Sequence, residues 1–216
     1  MPTLDAIIAV CIAGLALSVT PGPSMLYVLS RTVGQSRAAG LASALGLCLG
    51  GIILAVATAW GLAAVFEKSD WMITALRYAG SAYLIWLGID MIRGAKSEAQ
   101  KTLDVEKVRQ KPLFSIIWQG VIVEVLNPKT VLFFALFLPP FISGDVQAAN
   151  VSVTTQLLVL GALVPLTAIP SDLAVAYLGG TMTEVINREQ MMRERMSWVG
   201  GLILIAIAVN LHLQFF

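Results

Sequence analysis

Long apolar runs alternate with short polar stretches from one end of the chain to the other. A helix needs about 20 mostly apolar residues to cross a hydrocarbon core of roughly 30 Å. Six stretches meet that test: residues 4–30, 41–66, 71–92, 113–142, 153–178 and 197–215. Lipid offers the backbone no hydrogen-bond partner, so each is expected to be helical. The predicted fold class is all-α: a polytopic membrane protein of about six transmembrane helices, a single membrane domain over residues 1–216. The one long polar stretch, 94–112 (GAKSEAQKTLDVEKVRQKP), reads as a cytoplasmic linker between half-repeats of about 1–93 and 113–216. Three spans per half is an odd number, so the second half enters the membrane upside down, giving an inverted repeat of 3+3 helices.

The halves are alike where their first spans are interrupted. Aligning Pro21 with Pro128 sets Thr20-Pro21-Gly22-Pro23 beside Asn127-Pro128-Lys129-Thr130, followed by MLYVL in one half and VLFFALF in the other. Proline removes a helical donor and clashes with the preceding turn, yet it suits the first position of a new helix. Thr20 and Asn127 are both good N-cap residues. Each place therefore predicts one half-helix stopping and another starting inside the membrane, a broken first helix in each half. At 1.5 Å per residue, Asn127 lies about 20 Å from the inner end of its span, near mid-membrane. The new half-helices run from there in opposite directions, their positive dipole ends converging on one depth, which suits a carboxylate. Interrupted helices at corresponding positions of inverted repeats point to a transporter's binding site. Two prolines that merely kink their helices are the bland alternative.

Composition agrees, with 57% hydrophobic and 12% charged residues among 216; a soluble domain carries about a quarter charged. The basic residues set the orientation. Arg31, Arg37, Arg93, Lys96, Lys101, Lys107, Arg109, Lys111, Arg188, Arg193 and Arg195 fall after the first, third and fifth spans, against only Lys68 and Arg77 on the other side. The positive-inside rule then places both termini outside the cytoplasm. No Lys or Arg precedes the first apolar run, which is also too long for an h-region, so no cleaved signal peptide is expected. A net charge of +1 without a basic, aromatic-interleaved patch gives no reason to expect a nucleic-acid partner.

Three ionisable residues fall inside apolar spans: Glu124, Lys129 and Asp172. A charge at the bilayer centre is costly, so each is a functional candidate. Lys129 lies too deep to snorkel easily to either surface. Glu124 stands within pairing reach of it across the Asn-Pro break, so a structural ion pair is the competing reading. Asp172 lies nearer the cytoplasmic end of the fifth span and faces that water or the site. Asp90 reads as a helix-end residue. Cys11 and Cys48 sit in different spans and read as small buried hydrophobes. His212 is the only histidine, which argues against a metal route. Trp71, Trp86, Trp118 and Trp198 fall near span ends as interfacial anchors. Glycines such as Gly46, Gly50, Gly80, Gly88, Gly200 and Gly201 suit close helix packing. No nucleotide, hydrolase or zinc-protease motif is present, so the reading is neither enzyme nor cofactor-dependent. Any pumping then draws on an ion gradient or a partner subunit.

With these residues in view, the chain resembles the LysE/RhtB family of amino-acid exporters, the lysine exporter and homoserine/threonine resistance translocators. The resemblance runs nearly end to end. It rests on Thr20-Pro21-Gly22-Pro23, on Arg37-Ala38-Ala39-Gly40-Leu41 with Gly46-Leu47-Cys48-Leu49-Gly50, and on Ala79-Gly80-Ser81-Ala82-Tyr83-Leu84 with Gly88. Asn127-Pro128-Lys129-Thr130, Phe137-Leu138-Pro139-Pro140-Phe141 and Trp198-Val199-Gly200-Gly201 complete it. Two departures stand out. Ser24 follows Pro-Gly-Pro where the family commonly has Asn or Asp, and Pro139-Pro140-Phe141 replaces its usual Pro-Gln-Phe. The resemblance implies export of amino acids or their derivatives from a bacterial cytoplasm across the inner membrane, driven by the proton gradient.

The expected function is thus a secondary exporter of small amino acids or derivatives. Its substrate site would comprise Thr20, Pro21, Gly22, Pro23, Ser24, Asn127, Pro128 and Lys129. Glu124 and Asp172 would bind the substrate ammonium or couple the proton. No metal or cofactor is called for. The partners expected are a small-molecule substrate and the lipid bilayer, with homo-oligomer and monomer both open. Three rivals remain. A thiol-relay membrane oxidoreductase would want a cysteine beside each proline break, and a metal or small-ion exporter more histidine and acidic residues. A non-transporting scaffold would leave Glu124 and Lys129 without purpose.

Overall fold

The computed structural model describes residues 2–20, 22–66, 70–100, 109–142, 152–188 and 190–213. Every regular element among them is helical: α1 (Leu4–Val19), α2 (Pro23–Gly34), α3 (Arg37–Phe66), α4 (Asp70–Gln100), α5 (Leu113–Val125), α6 (Pro128–Leu132), α7 (Val153–Arg188) and α8 (Gln190–Leu213). α6 runs on into a π-helical turn (Phe133–Phe137) and a 3-10 turn (Pro139–Phe141). Small polar residues start four of the helices. Thr3, Ser36, Asn127 and Ser152 accept from the amides of Ala6, Ala39, Lys129 and Thr155 at 3.1–3.2 Å. Each bond satisfies one of the amides a helix start leaves free.

The large apolar side chains point both ways. Phe133, Phe134, Phe137, Leu84, Leu157 and Leu204 form the interior, whereas Phe114, Leu126 and Trp71 are 71–72% exposed. An outer surface of this kind suits lipid as the solvent, and the chain is a polytopic membrane protein. Two helical stretches, Arg37–Leu62 and Val153–Gly179, are each long and apolar enough to cross a bilayer alone. α1 with α2, and α5 with Pro128–Phe141, qualify as pairs bent by 52° and 51°. Length and composition of the described residues therefore give two to four spans rather than six. α8 holds a shorter apolar stretch, Ser197–Asn210, and α4 carries Asp70, Arg77, Asp90, Arg93 and Lys96.

Two local expectations change. α4 continues to Gln100, into the stretch read as linker, so Asp90 lies inside a helix and not at its end. α7 extends to Arg188 through two internal prolines, Pro165 and Pro170. At 1.5 Å per residue it is about 54 Å long and outreaches the hydrocarbon core.

α3 packs on α7 and α5, α1 on α7 and α8, and α4 on α8 and the π-helical turn. Exchanging α1/α2 with α5/α6, α3 with α7 and α4 with α8 maps the α3–α5 contact onto α7–α1. Glycines set the close approaches. Gly46 of α3 faces Gly120 of α5, where a Cβ on either would stand 3.0 Å from the other's Cα. Gly50 backs onto Glu124, and Gly80 onto the Leu136 carbonyl. Phe133, Phe137 and Phe141 form a column with ring centroids 4.2 and 4.8 Å apart.

A polar seam joins α2 to α5 and the residues before it. Arg31 is 6% exposed, and it donates to the Arg109 carbonyl at 3.1 Å and to Gln119 Oε1 at 2.8 Å. The Tyr27 ring lies 5.8 Å from its guanidinium carbon, and the Tyr27 hydroxyl donates to the Ile116 carbonyl at 2.7 Å. Gln35 and Lys111 exchange two bonds, Nε2 to the Lys111 carbonyl at 2.7 Å and the Lys111 amide to Oε1 at 3.1 Å.

Candidate functional site

The first break leaves the last carbonyls of α1 without helical partners. Thr20 Oγ1 donates back to the Ala16 carbonyl at 2.8 Å, and Lys129 Nζ reaches the Leu17 carbonyl at 3.4 Å. Lys129 thus sets its ammonium against the negative end of α1. Thr20 does not cap the new helix as expected; it closes the old one. α2 begins at Pro23, with Gly22 as an extended N-cap and no side chain on its first amides. The reason is local: a proline ring suits the first helical position, and the second proline of Thr-Pro-Gly-Pro takes it.

The second break follows the expectation. Asn127 is the N-cap of α6, and its Oδ1 accepts from the Lys129 amide at 3.1 Å. That commits the amide oxygen, so Asn127 Nδ2 faces across to the first break and donates to Ser24 Oγ at 3.1 Å. Ser24 Oγ in turn donates to Glu124 Oε2 at 2.6 Å. Ser24, in the first turn of α2, therefore ties the two broken spans together. Glu124 and Lys129 make their hydrogen bonds separately, Glu124 to Ser24 and Thr130 and Lys129 to Leu17, and attract each other without the direct ion-pair contact that their spacing allows.

Around this network lies a cavity of about 70 Å³. At about 10–15 Å³ per water it has room for roughly five to seven waters, the scale of a small solute. Thr20, Gly22, Pro23, Ser24, Glu124, Asn127, Lys129 and Asp172 line it. Pro128 is not on its wall, and Pro21 lies outside the described residues. Asp172 arrives from α7 two residues after Pro170, and among the described residues no side-chain hydrogen bond holds it. One ammonium and two carboxylates thus border a single space, alongside the uncapped start of α2.

Sequence reasoning missed much of the wall. Met25, Leu47 and Phe134 supply an apolar side, and Gly14, Gly51 and Pro165 let the helices come close enough to enclose it. A Cβ on Gly51 would stand 2.7 Å from Pro165 Cβ. The signal was a proline inside an apolar span opposite a glycine, which is visible but not specific. Cys48 also lines the cavity, so it is more than the small buried hydrophobe expected. It is a free thiol, as is Cys11, and Cys11 is not on the wall. The pairing of a cysteine with each break that a thiol relay needs is therefore not found.

The profile of the LysE type translocator family matches residues 15–214, which include both breaks and all of the cavity wall except Gly14. The chain belongs to this family. Among its relatives, a leucine efflux protein of Enterobacter sp. is 26% identical over 191 residues, 88% of this chain and 87% of the relative. An uncharacterised membrane protein of Synechocystis sp. is 30% identical over 202 residues, 92% of this chain and 91% of the relative. A threonine efflux protein of Salmonella typhi is 27% identical over 130 residues, 60% of this chain and 63% of the relative. No solved structure matches the chain. Membership of a translocator family makes the chain a membrane transport protein with a small-molecule substrate.

Proposed function

We propose that the protein is a secondary exporter of small amino acids or their derivatives, moving them from the cytoplasm in exchange for protons. The observation that carries this reading is the cavity between the two broken spans, with a lysine and two acidic residues on its wall. The free amides at the start of α2 and the Lys129 side chain suit a substrate carboxylate, and a carboxylate on the same wall suits its ammonium. Met25, Leu47 and Phe134 offer a small apolar side to a substrate side chain. The names of the leucine and threonine efflux relatives point to the same chemical class.

Six spans in two inverted halves remain the best account of the topology, with α4 and α8 as the third span of each half. The near-equal bends of the first spans and the matched α3–α5 and α7–α1 contacts support it. α2 and α5 then line the cytoplasmic side, where the Arg31 seam closes the cavity, and alternating access needs that seam to part. Alkaline-phosphatase fusions at the C-terminus should be active and fusions within the 94–112 segment inactive. Activity at the second site would invert the topology.

Cells overproducing the protein and preloaded with threonine or leucine should release it faster than controls, and an uncoupler should abolish the difference. Efflux that survives the uncoupler and stops only on loss of ATP would exclude a secondary exporter.

A further inference from the structure

We infer that the two carboxylates at the cavity have different tasks: Asp172 receives the substrate ammonium, and Glu124 carries the coupled proton and reports it to the seam between the broken spans. The inference rests on the proposed amino-acid/proton exchange and deepens it.

The division follows from which bonds are already made. Asn127 has one carbonyl oxygen, and the Lys129 amide uses it. Its NH₂ must then be the group facing Ser24, so Ser24 Oγ accepts there. A serine hydroxyl has a single proton to give, and it is directed to Glu124 Oε2. Glu124, to which Thr130 of α6 is also hydrogen-bonded, is therefore the acceptor at the end of a one-way chain that begins at the cap of α6 and crosses through the first turn of α2. Its backbone side is fixed as well, because Gly50 of α3 lets the two helices approach so closely that a Cβ there would lie 2.7 Å from Glu124 Cβ. A carboxylate held in this way is poorly placed to swing onto a substrate.

It is well placed to act as a switch. With Glu124 ionised, the Ser24 bond is charge-assisted and holds α2 to α5. A proton arriving from the outer water neutralises the carboxylate. It weakens the Ser24 bond and loosens the junction between the halves. When the cavity faces the cytoplasm the proton leaves to water there, and the bond regains its strength. No group other than water and the carboxylate is needed for that cycle. The remaining ionisable groups on the wall are Lys129 of α6, Asp172 of α7 and Cys48 of α3. Lys129 is occupied with the carbonyl end of α1. Asp172 differs from Glu124 in lacking any side-chain hydrogen bond among the described residues, although it borders the same space. A substrate ammonium would give it the partner it lacks.

Purified protein in proteoliposomes separates the two roles. Exchange of labelled for unlabelled threonine or leucine requires substrate binding and reorientation but no net proton movement. Uphill transport driven by an imposed pH gradient requires all three. Glu124→Gln should keep exchange within about threefold of wild type and lose more than about tenfold of gradient-driven transport. Asp172→Asn should lose more than about tenfold of both. Exchange by Asp172→Asn at the wild-type rate, full gradient drive in Glu124→Gln, or equal loss of both activities in the two variants would each overturn the division of roles. If Glu124→Gln does not reach the membrane, Ser24→Ala decides. It removes the hydroxyl and leaves the carboxylate, and it should weaken gradient drive by a larger factor than exchange; undiminished drive, or equal loss of drive and exchange, would overturn the proposal. Wild-type protein that exchanges no amino acid at all would instead overturn the exporter reading beneath it.

Discussion

Lys129→Met is expected to lower amino-acid exchange about ten- to a hundredfold while leaving membrane abundance normal, and adding Glu124→Gln is not expected to restore it. The single loss corresponds to about 1.5–3 kcal/mol, the usual contribution of a hydrogen bond to a charged group. The double variant is the informative one. Breaking a buried ion pair strands one charge at a cost of several kcal/mol, and neutralising the other charge relieves it. A structural Glu124–Lys129 pair would therefore regain both folding and transport in the double variant. In this structure Glu124 is satisfied by Ser24, and Lys129 rests against the Leu17 carbonyl at the end of α1. The two charges also attract each other, but each keeps its own hydrogen bond when the other is lost, so the double variant has little to repair. A double variant transporting at the wild-type rate would remove Lys129 from the site.

A large effect on stability is expected at the crossing of α4 and α8. A Cβ on Gly88 would stand 2.6 Å from the Gly201 carbonyl oxygen, and one on Gly201 would stand 2.5 Å from that of Gly88. Both obstacles are backbone, which cannot rotate aside as a side chain can. Small residues allow membrane helices this approach, and lipid replaces it poorly once it is lost. Leucine at either position should force the helices apart, at about 1–3 kcal/mol or more, and lower the melting temperature in detergent by roughly 5–10 °C. Gly61 is the control, because nothing lies within 4 Å of a Cβ there. Gly61→Leu should melt like wild type, and equal losses at all three positions would refute the account of this crossing.

The breaks were legible in the sequence because a proline inside an apolar run takes a donor out of the helix wherever it stands. The same runs made the helical membrane fold legible. Intramembrane charge pointed to Glu124, Lys129 and Asp172 because lipid makes such residues expensive. What sequence could not supply was direction. Spacing alone suggested a Glu124–Lys129 pair, and only the placement of Ser24 across the breaks shows where that carboxylate is bonded. Thr20 was misjudged because two prolines compete to start α2, and Pro23 is the one that does. The apolar wall and Cys48 were hidden because nothing distinguishes a cavity-facing Leu47 or Phe134 from any other apolar residue in a membrane span. Span number was harder to read than fold class, since α4 mixes charge into its length and the apolar part of α8 is short.

Solute efflux from proteoliposomes tests the central claim most directly. Vesicles containing only the purified protein would be loaded in turn with labelled threonine, leucine and a sugar of similar size. An imposed proton gradient should speed release of at least one amino acid more than about tenfold over protein-free vesicles. The Lys129→Met protein should not do so, and the sugar should stay inside. Release of none of the amino acids, or equal release of amino acid and sugar, would contradict the account.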